Sequence, residues 1–327
     1  MIRAVPRAAG RRRRTGGAVG AAAAALLLAG CAATVSPSAT VSPSATVSSP
    51  ATVSSSGPGA APGAAAPSGA GGAVPRPDHV VVVMEENRSY PDVIGRTDQA
   101  PFINALADRG ALFTGSFAVA HPSQPNYLAL FSGSVQGVTD DSCPQTFGGA
   151  NLGSALRTAG LSFAGYSEGL PAAGSTVCDS GGYARRHNPW VDFADLPSEV
   201  NQPFSAFPHD YAALPTVSFV VPDLTHDMHD GTVRQGDDWL RDNLAGYADW
   251  AATHNSLLVV TWDEDDGSPA NHIPTVVVGG PVAPGHYGER IDHYRLLRTL
   301  EDAYGLPPTG AAAATAPIGD VWRHGGA

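Results

Sequence analysis

The stretch HVVVVMEENRS at residues 79–89 places a buried strand directly before a run of polar side chains. Four consecutive valines followed by a methionine are typical of a strand that is covered on both faces, as in a parallel sheet. Strand-like and helix-like stretches alternate from here to residue 305. This alternation predicts an α/β fold, a three-layer α/β/α sandwich with a mostly parallel central sheet.

Hydrophobic periodicity, with proline and glycine at the ends of segments, gives the remaining elements. Further strands are predicted at 161–167, 215–222, 256–263 and 273–280, and helices at 101–110, 125–133, 151–160, 232–254 and 292–305. Pro125 suits the first turn of its helix, which would leave Ser123 just outside that helix. We expect one folded domain over residues 76–327.

Residues 1–31 have the layout of a bacterial export signal. An arginine-rich start precedes an apolar core at 18–28, and Leu28-Ala29-Gly30-Cys31 follows. A cysteine at this position is typical of lipoprotein processing, which predicts lipidation of Cys31; a plain secretory signal is the alternative, and the twin-arginine route stays open. The protein is therefore expected to be exported, either lipid-anchored at the extracytoplasmic face of the cell membrane or secreted.

Residues 32–75 contain no charged and no aromatic residue, and they begin with a six-residue repeat, TVSPSA. Such a composition cannot bury enough apolar surface to offset its conformational entropy. We predict a disordered tether between the signal and the folded domain.

The charge and cysteine content narrow the partners and the compartment. The formal net charge is −11, and every basic residue is arginine. This excess of negative charge argues against nucleic acid as the main partner. Contact with a membrane is expected only through the predicted lipid anchor. Cys143 and Cys178 remain once Cys31 is assigned to lipid, and in an exported protein they are expected to form a disulfide.

Polar residues follow three of the predicted strands. They are Glu85–Ser89, then Asp223–Asp230 with His226 and His229, then Asp263–Gly267 with His272 close behind. Carboxyl ends of parallel strands form the usual ligand site of α/β sheets, and clustered carboxylates with imidazoles suit a divalent cation. Solvated loops are the alternative, and we interpret four further aspartates as solvated charge: Asp237, Asp238, Asp265 and Asp266.

The stretch HPSQPNYLALFSGS at 121–134 makes Ser123 either a helix cap or a nucleophile at a helix N-terminus. His121 would serve only to position it, and Tyr127 is interpreted as packing. Ser123 does not lie in a G-x-S-x-G elbow, and the chain has none of the usual nucleotide-binding glycine motifs. Metal coordination can activate a serine that lacks a neighbouring base, while a metal-free serine esterase is a further option.

These segments together resemble the bacterial phosphoesterase family, which contains acid phosphatases and phospholipase C enzymes and has an alkaline-phosphatase-like core. The resemblance rests on MEENRSY, HPSQPNYLALFSGS, PDLTHDMHD and TWDEDDG followed by NHIP, and it spans about Asp78 to Tyr304. It implies that residues 76–327 are a phosphoesterase catalytic domain.

The resemblance also implies roles for individual residues. Ser123 matches the nucleophile, and His229, supported by His226, would contact phosphate or the leaving group. Asn87 would donate to a phosphate oxygen in catalysis. The implied ligands of a divalent metal ion are Glu86, Asn87, Ser123, Asp263, Glu264 and His272. Two positions depart from the family pattern: Glu264 stands where some members have aspartate, and Asn271 precedes His272 where phospholipase relatives have aspartate.

The resulting hypothesis is an exported, metal-dependent phosphomonoesterase that hydrolyses a small phosphate ester through a phosphoserine intermediate. A phospholipase C-type phosphodiesterase is the alternative within the family. A non-catalytic surface lipoprotein that binds metal or phosphate is the alternative of another class.

Overall fold

The computed structural model describes residues 73–323. The predicted signal, Cys31 and the tether up to residue 72 lie outside the described residues. Within the described part, no helix is both long and apolar enough to cross a bilayer.

A sheet of eight strands forms the middle of the domain. Its order is β10-β2-β9-β8-β1-β7-β3-β6, and β9 alone runs antiparallel to its neighbours. A separate hairpin joins β4 to β5. The strands are β1 (His79–Glu85), β2 (Ala111–Phe117), β3 (Phe163–Ser167), β4 (Asp179–Ser180), β5 (Tyr183–Ala184), β6 (Asn201–Pro203), β7 (Val217–Val221), β8 (Ser256–Trp262), β9 (Thr275–Val278) and β10 (Gly285–Asp292).

Helices cover both faces of this sheet. They are α1 (Tyr90–Val93), α2 (Pro101–Arg109), α3 (Ser123–Ser132), α4 (Leu152–Thr158), α5 (Val233–Ala251) and α6 (His293–Tyr304). One core joins Val80 and Val82 of β1 to the apolar residues of α3, α4 and α6. The other joins Val81 and Val83 to α2 and α5. The predicted three-layer α/β/α sandwich with a mostly parallel sheet is confirmed.

The start of α3 differs from the prediction. Pro122 has an extended backbone, with φ −79° and ψ −159°, and the helix begins at Ser123. The prediction that Ser123 lies outside the helix is therefore wrong. Pro125 is still in the first turn, where backbone N–H groups have no partner within the helix and a proline costs nothing.

Two aspartates predicted to be solvated are buried. Asp237 accepts hydrogen bonds from the backbone N–H groups of Phe102 and Ile103, at 3.1 and 2.8 Å, and so ties α5 to the first turn of α2. Asp265 accepts from the backbone of Ser268 and His272, at 2.7 and 3.1 Å. Backbone donors therefore satisfy both carboxylates, from α2 in the case of Asp237 and from its own loop in the case of Asp265. Asp266 is exposed and Asp238 half-buried, as a solvated role requires.

The cysteine prediction is confirmed. Cys143 and Cys178 form a disulfide that closes a loop between residues 35 positions apart. The bond joins the segment after α3 to the segment that enters the β4–β5 hairpin.

Strand order brings the three polar segments of the sequence to one place. β8, β1 and β7 are neighbours and run parallel, so their carboxyl ends lie side by side at the same edge. Each of these strands is fully buried along most of its length. The loops that follow β8, β1 and β7 therefore begin in the most rigid part of the sheet.

Candidate active site

The loops after β1, β7 and β8 are fixed to one another through the backbone. The N–H of Glu86 donates to the carbonyl of Asp227 at 2.7 Å, and the N–H of Asp263 donates to the carbonyl of Glu85 at 2.9 Å. The side chains of Glu86, Asp227, Asp263 and Glu264 are buried at this junction.

Ser123 lies beside these carboxylates at the first turn of α3. Its Oγ is 3.0 Å from Oε2 of Glu86 and 3.2 Å from Oε1 of Glu264, and the residue is 2% exposed. A single hydroxyl proton cannot satisfy two carboxylates at once. Oxygen atoms from three separate elements thus converge around one point.

Asn87 has a left-handed backbone, with φ 55°, a conformation that asparagine tolerates better than most residues. Its N–H donates to Oδ1 of Asp263 at 3.1 Å, and its side-chain amide donates to Oε2 of Glu86 at 3.0 Å. The turn therefore directs both donors of one residue into the group of carboxylates.

His187 belongs to this site, although it was not among the residues predicted from the sequence. Its Nε2 is 3.2 Å from Oε1 of Glu86 and its Nδ1 is 3.3 Å from Oδ2 of Asp227, with the ring 1% exposed. The Tyr127 ring stacks on it at 5.0 Å, and the Tyr127 hydroxyl donates to Glu86, so this tyrosine does more than pack. His187 lies in a 3-10 turn rather than at a strand end; the only signal was Arg185-Arg186-His187, a basic run in an acidic chain.

Burial sets the electrostatics of the site. It raises the pKa values of Glu86 and Asp263 well above their usual range, and mutual repulsion with neighbouring carboxylates raises them further. Burial also raises the pKa of Asp227 to about 8 and lowers the pKa of His187 well below its usual value. Burial in the protein therefore disfavours the charged forms of these groups.

The donor set fits a divalent cation. Oδ2 of Asp227 and Oδ2 of Asp263 are buried without a hydrogen-bond partner, and within residues 73–323 no arginine pairs with any of the four carboxylates. Glu86, His187 and Asp227 offer ligand atoms that lie within 4.8 Å of one another. Carboxylate oxygens with an imidazole are ligands for hard or borderline metals, and a cation would replace the missing positive charge.

The other histidines predicted for the site lie at different distances from it. His229 is close: its N–H donates to Oδ1 of Asp227 at 2.8 Å, and its ring centre is 6.0 Å from that of His187. His226 instead pairs with Glu168 and Asp223, at 2.9 and 3.2 Å, in a separate partly exposed group.

His272 and His121 lie on the β8 side of the site. His272 stacks between Tyr90 and Phe117, at 4.7 and 5.0 Å, with Nε2 3.1 Å from the carbonyl of Thr114, and the structure does not bring it to the carboxylates. His121 contacts Glu264 through Nδ1. It therefore holds the carboxylate beside Ser123 rather than Ser123 itself.

The fold has a counterpart among solved structures. A protein in the alkaline phosphatase superfamily from Vibrio parahaemolyticus superposes with a TM-score of 0.50 and 14% identity, over 75% of this chain and 72% of that one. The class of protein is thus the α/β type with an alkaline-phosphatase-like sheet.

The chain belongs to the Phosphoesterase family, whose model matches residues 96–307. It is 56% identical over 257 residues to a phosphatidylinositol-3-phosphatase of Mycobacterium tuberculosis, covering 77% of this chain and 85% of the relative. It is 30% identical over 228 residues to a phosphate-repressible acid phosphatase of Penicillium chrysogenum, covering 64% of this chain but only 55% of that protein. The protein is a hydrolase of phosphoric esters, as the family resemblance implied.

Proposed function

We propose that the protein is a metal-dependent phosphomonoesterase that works through a phosphoserine at Ser123. The position of the Ser123 hydroxyl carries this proposal, since it lies at a helix N-terminus within 3.2 Å of two buried carboxylates. A structural serine needs only one acceptor for its hydroxyl proton, whereas a nucleophile next to a cation site would use two acidic neighbours as ligands of that cation.

Glu86, Asp263 and Glu264 are the ligands that would hold the cation beside Ser123, with Asn87 next to them and with His187 and Asp227 extending the group. When bound there, a divalent cation would stabilise the deprotonated hydroxyl and the charge on the transferring phosphoryl group. His272 is left out of this set because of the contacts it makes elsewhere.

Ser123 attacks the phosphorus in line, so the bond from Oγ to phosphorus forms while the bond to the ester oxygen breaks. Water then attacks the phosphoserine, which releases phosphate and restores the hydroxyl. The backbone N–H of Ser123 and the amide of Asn87 suit the phosphate oxygens, whereas the N–H of Gln124 already donates to Asp141 at 2.9 Å.

His229 is suited to protonate the departing oxygen. Oδ1 of Asp230 is 2.8 Å from its Nδ1 and orients the ring, and the ring is partly exposed beside His187. A histidine held in this way can keep one nitrogen for its carboxylate and offer the other to the leaving group.

The names of the relatives support the proposed substrate class. Both relatives named above carry the names of phosphatases, which favours monoesters over the diesters of a phospholipase C and favours catalysis over a binding role. Export and lipidation of Cys31 remain predictions from the sequence, with which a disulfide is compatible.

A substrate panel on metal-stripped and reconstituted protein tests the proposal. We expect turnover of p-nitrophenyl phosphate that is restored by a divalent metal, with little turnover of bis-p-nitrophenyl phosphate or phosphatidylcholine. Ser123→Ala should lower kcat by about a thousandfold or more, while Ser132→Ala at the far end of the same helix should keep it. Exclusive turnover of diesters, or a phosphoserine trapped at another residue, would contradict the proposal.

A further inference from the structure

Asn271 is a buried asparagine that joins two segments of the active site. Its Oδ1 accepts from the backbone N–H of Asp265 at 2.9 Å, and its Nδ2 donates to the carbonyl of Ala120 at 2.7 Å. Asp265 directly follows Glu264, and Ala120 lies three residues before Ser123. The Asn271 side chain therefore connects the loop that carries Glu264 to the segment that leads to Ser123, and the residue is only 7% exposed.

The backbone around Asn271 is fixed against the end of β2. The N–H of Ala118 donates to the carbonyl of Asn271 at 2.9 Å, and the N–H of Ile273 donates to the carbonyl of Ser116 at 3.1 Å. Asn271 has a left-handed backbone, with φ 49°, which asparagine and aspartate tolerate better than most residues. The amide is therefore presented from a backbone that the central sheet holds in place.

Asn126 in α3 holds the same segment from the helix. Its Nδ2 donates to the carbonyl of Ala120 at 2.9 Å, and its Oδ1 accepts from the N–H of Ala120 at 3.0 Å. The other two bonds of this fully buried amide reach the backbone on either side of Ala120. Since a carbonyl oxygen has two lone pairs, Ala120 can accept from Asn126 and Asn271 at once. Ala120 is thus the point where the loop of Glu264 and the helix of Ser123 are joined.

The spacing of these two segments sets how Ser123 meets Glu264. Ser123 Oγ is 3.2 Å from Oε1 of Glu264, and a displacement of about 1 Å in such a geometry can cost about a hundredfold in rate. His121 also contacts Glu264, but its side chain is 37% exposed, so water competes for its bonds. The bonds of Asn271 are shielded from water and hold the two segments more firmly.

Both halves of the Asn271 amide are needed for this connection. Oδ1 holds the backbone of the Glu264 loop, and Nδ2 holds the backbone that leads to Ser123. An ionised aspartate of the same shape could accept the first bond but has no proton for the second. The requirement is therefore for asparagine rather than for any small polar residue.

We propose that Asn271 is a positioning residue, which sets the distance between the Ser123 hydroxyl and the Glu264 carboxylate. This inference rests on the proposed function, because it takes Ser123 as the nucleophile and Glu264 as a metal ligand. Asn271 itself touches neither the phosphate nor the metal, and it acts through the backbone of Ala120 and Asp265.

Asn271→Asp tests the half of the amide that holds the nucleophile. The variant keeps the left-handed turn and the acceptor, but it places a carboxylate against the Ala120 carbonyl. We expect kcat for p-nitrophenyl phosphate to fall about tenfold or more, while KM changes little because the phosphate contacts remain.

Asn201→Asp is the matched control. Asn201 is also buried, accepts from Nε1 of Trp190 at 2.8 Å and donates to the carbonyl of Ser175 at 2.8 Å, but these bonds lie at β6. The two variants should lower the melting temperature to a similar extent, and Asn201→Asp should keep kcat. If Asn271→Asp has the same kcat as Asn201→Asp, or if its loss lies in KM alone, the inference is overturned.

Calorimetry of Mn²⁺ binding to metal-stripped protein gives a readout that needs no turnover. Asn271→Gly keeps the turn but loses both bonds, and it should bind Mn²⁺ about tenfold more weakly than the wild type. Asn201→Asp should keep the affinity. Wild-type Mn²⁺ affinity in Asn271→Gly would overturn the inference. Absence of turnover by the wild type would overturn the proposed function instead, and the Mn²⁺ affinities would still decide whether Asn271 holds the loop of Glu264.

Discussion

Asn87 combines two roles that usually fall to different residues. Its left-handed backbone makes the turn that leaves β1, and its side chain points an amide at Glu86. Glycine would make the same turn with less strain but would lose the amide. The presence of asparagine therefore points to a requirement for the side chain, which the proposed contact with phosphate supplies.

Asn87→Gly separates these two roles. Because glycine keeps the backbone conformation, the melting temperature should change little, while kcat for p-nitrophenyl phosphate should fall about a hundredfold through the loss of one donor to the developing charge. Steady-state kinetics with a thermal melt would show both effects. A variant with full activity would mean that the amide makes no contact with the reacting phosphate.

At the scale of elements, Arg88 joins two of the three site loops. Its guanidinium donates to the carbonyls of Asn87, Met228 and Gly231, at 2.7, 2.7 and 2.8 Å. Asn87 and Met228 both have positive φ angles, 55° and 79°. Arg88 therefore holds the backbone at two positions where its conformation is least favoured. One side chain thus holds the loop after β1 against the loop after β7.

Arg88→Lys should loosen this junction, because an ammonium group cannot reach three carbonyls in a plane. The expected loss is about 2 kcal/mol in the free energy of unfolding, or about 4–8 °C in melting temperature, together with a lower kcat. Arg241→Lys on α5 serves as the matched control and should cost almost nothing. Equal melting temperatures for the two variants would contradict a clamping role.

The sequence was informative where hydrophobic runs end in polar residues. Glu86, Asn87, Asp263 and Glu264 follow strongly apolar strands, and the rule for carboxyl ends of parallel strands places them together. His187 escaped prediction because it comes from a short turn between irregular segments, where no periodicity fixes its position. β10 was not predicted from the sequence either, because its residues alternate between half-buried and exposed, as on the polar surface of an edge strand.

At the scale of the whole molecule, the part of the chain from residue 73 to 323 contains two groups of potential metal ligands, which differ in burial. Glu86, His187 and Asp227 are fully buried and lie next to Ser123, whereas Glu168, Asp223 and His226 are partly exposed and bonded to one another. Buried carboxylates that repel each other cost stability unless a cation or a proton neutralises them. The buried group should therefore govern how the fold responds to metal.

Metal-stripped protein should melt at a lower temperature than protein reconstituted with a divalent ion. A ligand that binds only the folded state adds about 3 kcal/mol at a concentration one hundred times its Kd. Differential scanning fluorimetry should show that Asp263→Asn abolishes the shift and Glu168→Gln keeps it. The reverse pattern would move the metal to the exposed group.

The long excursion of the chain between β3 and β7 supplies few of the reactive groups. Those groups come mainly from loops on neighbouring central strands, whereas the β4–β5 hairpin belongs to this excursion, pinned by a disulfide at its edge. His187 also belongs to the excursion and contacts Glu86 and Asp227, so only changes confined to the hairpin are expected to leave Ser123 and its carboxylates in place.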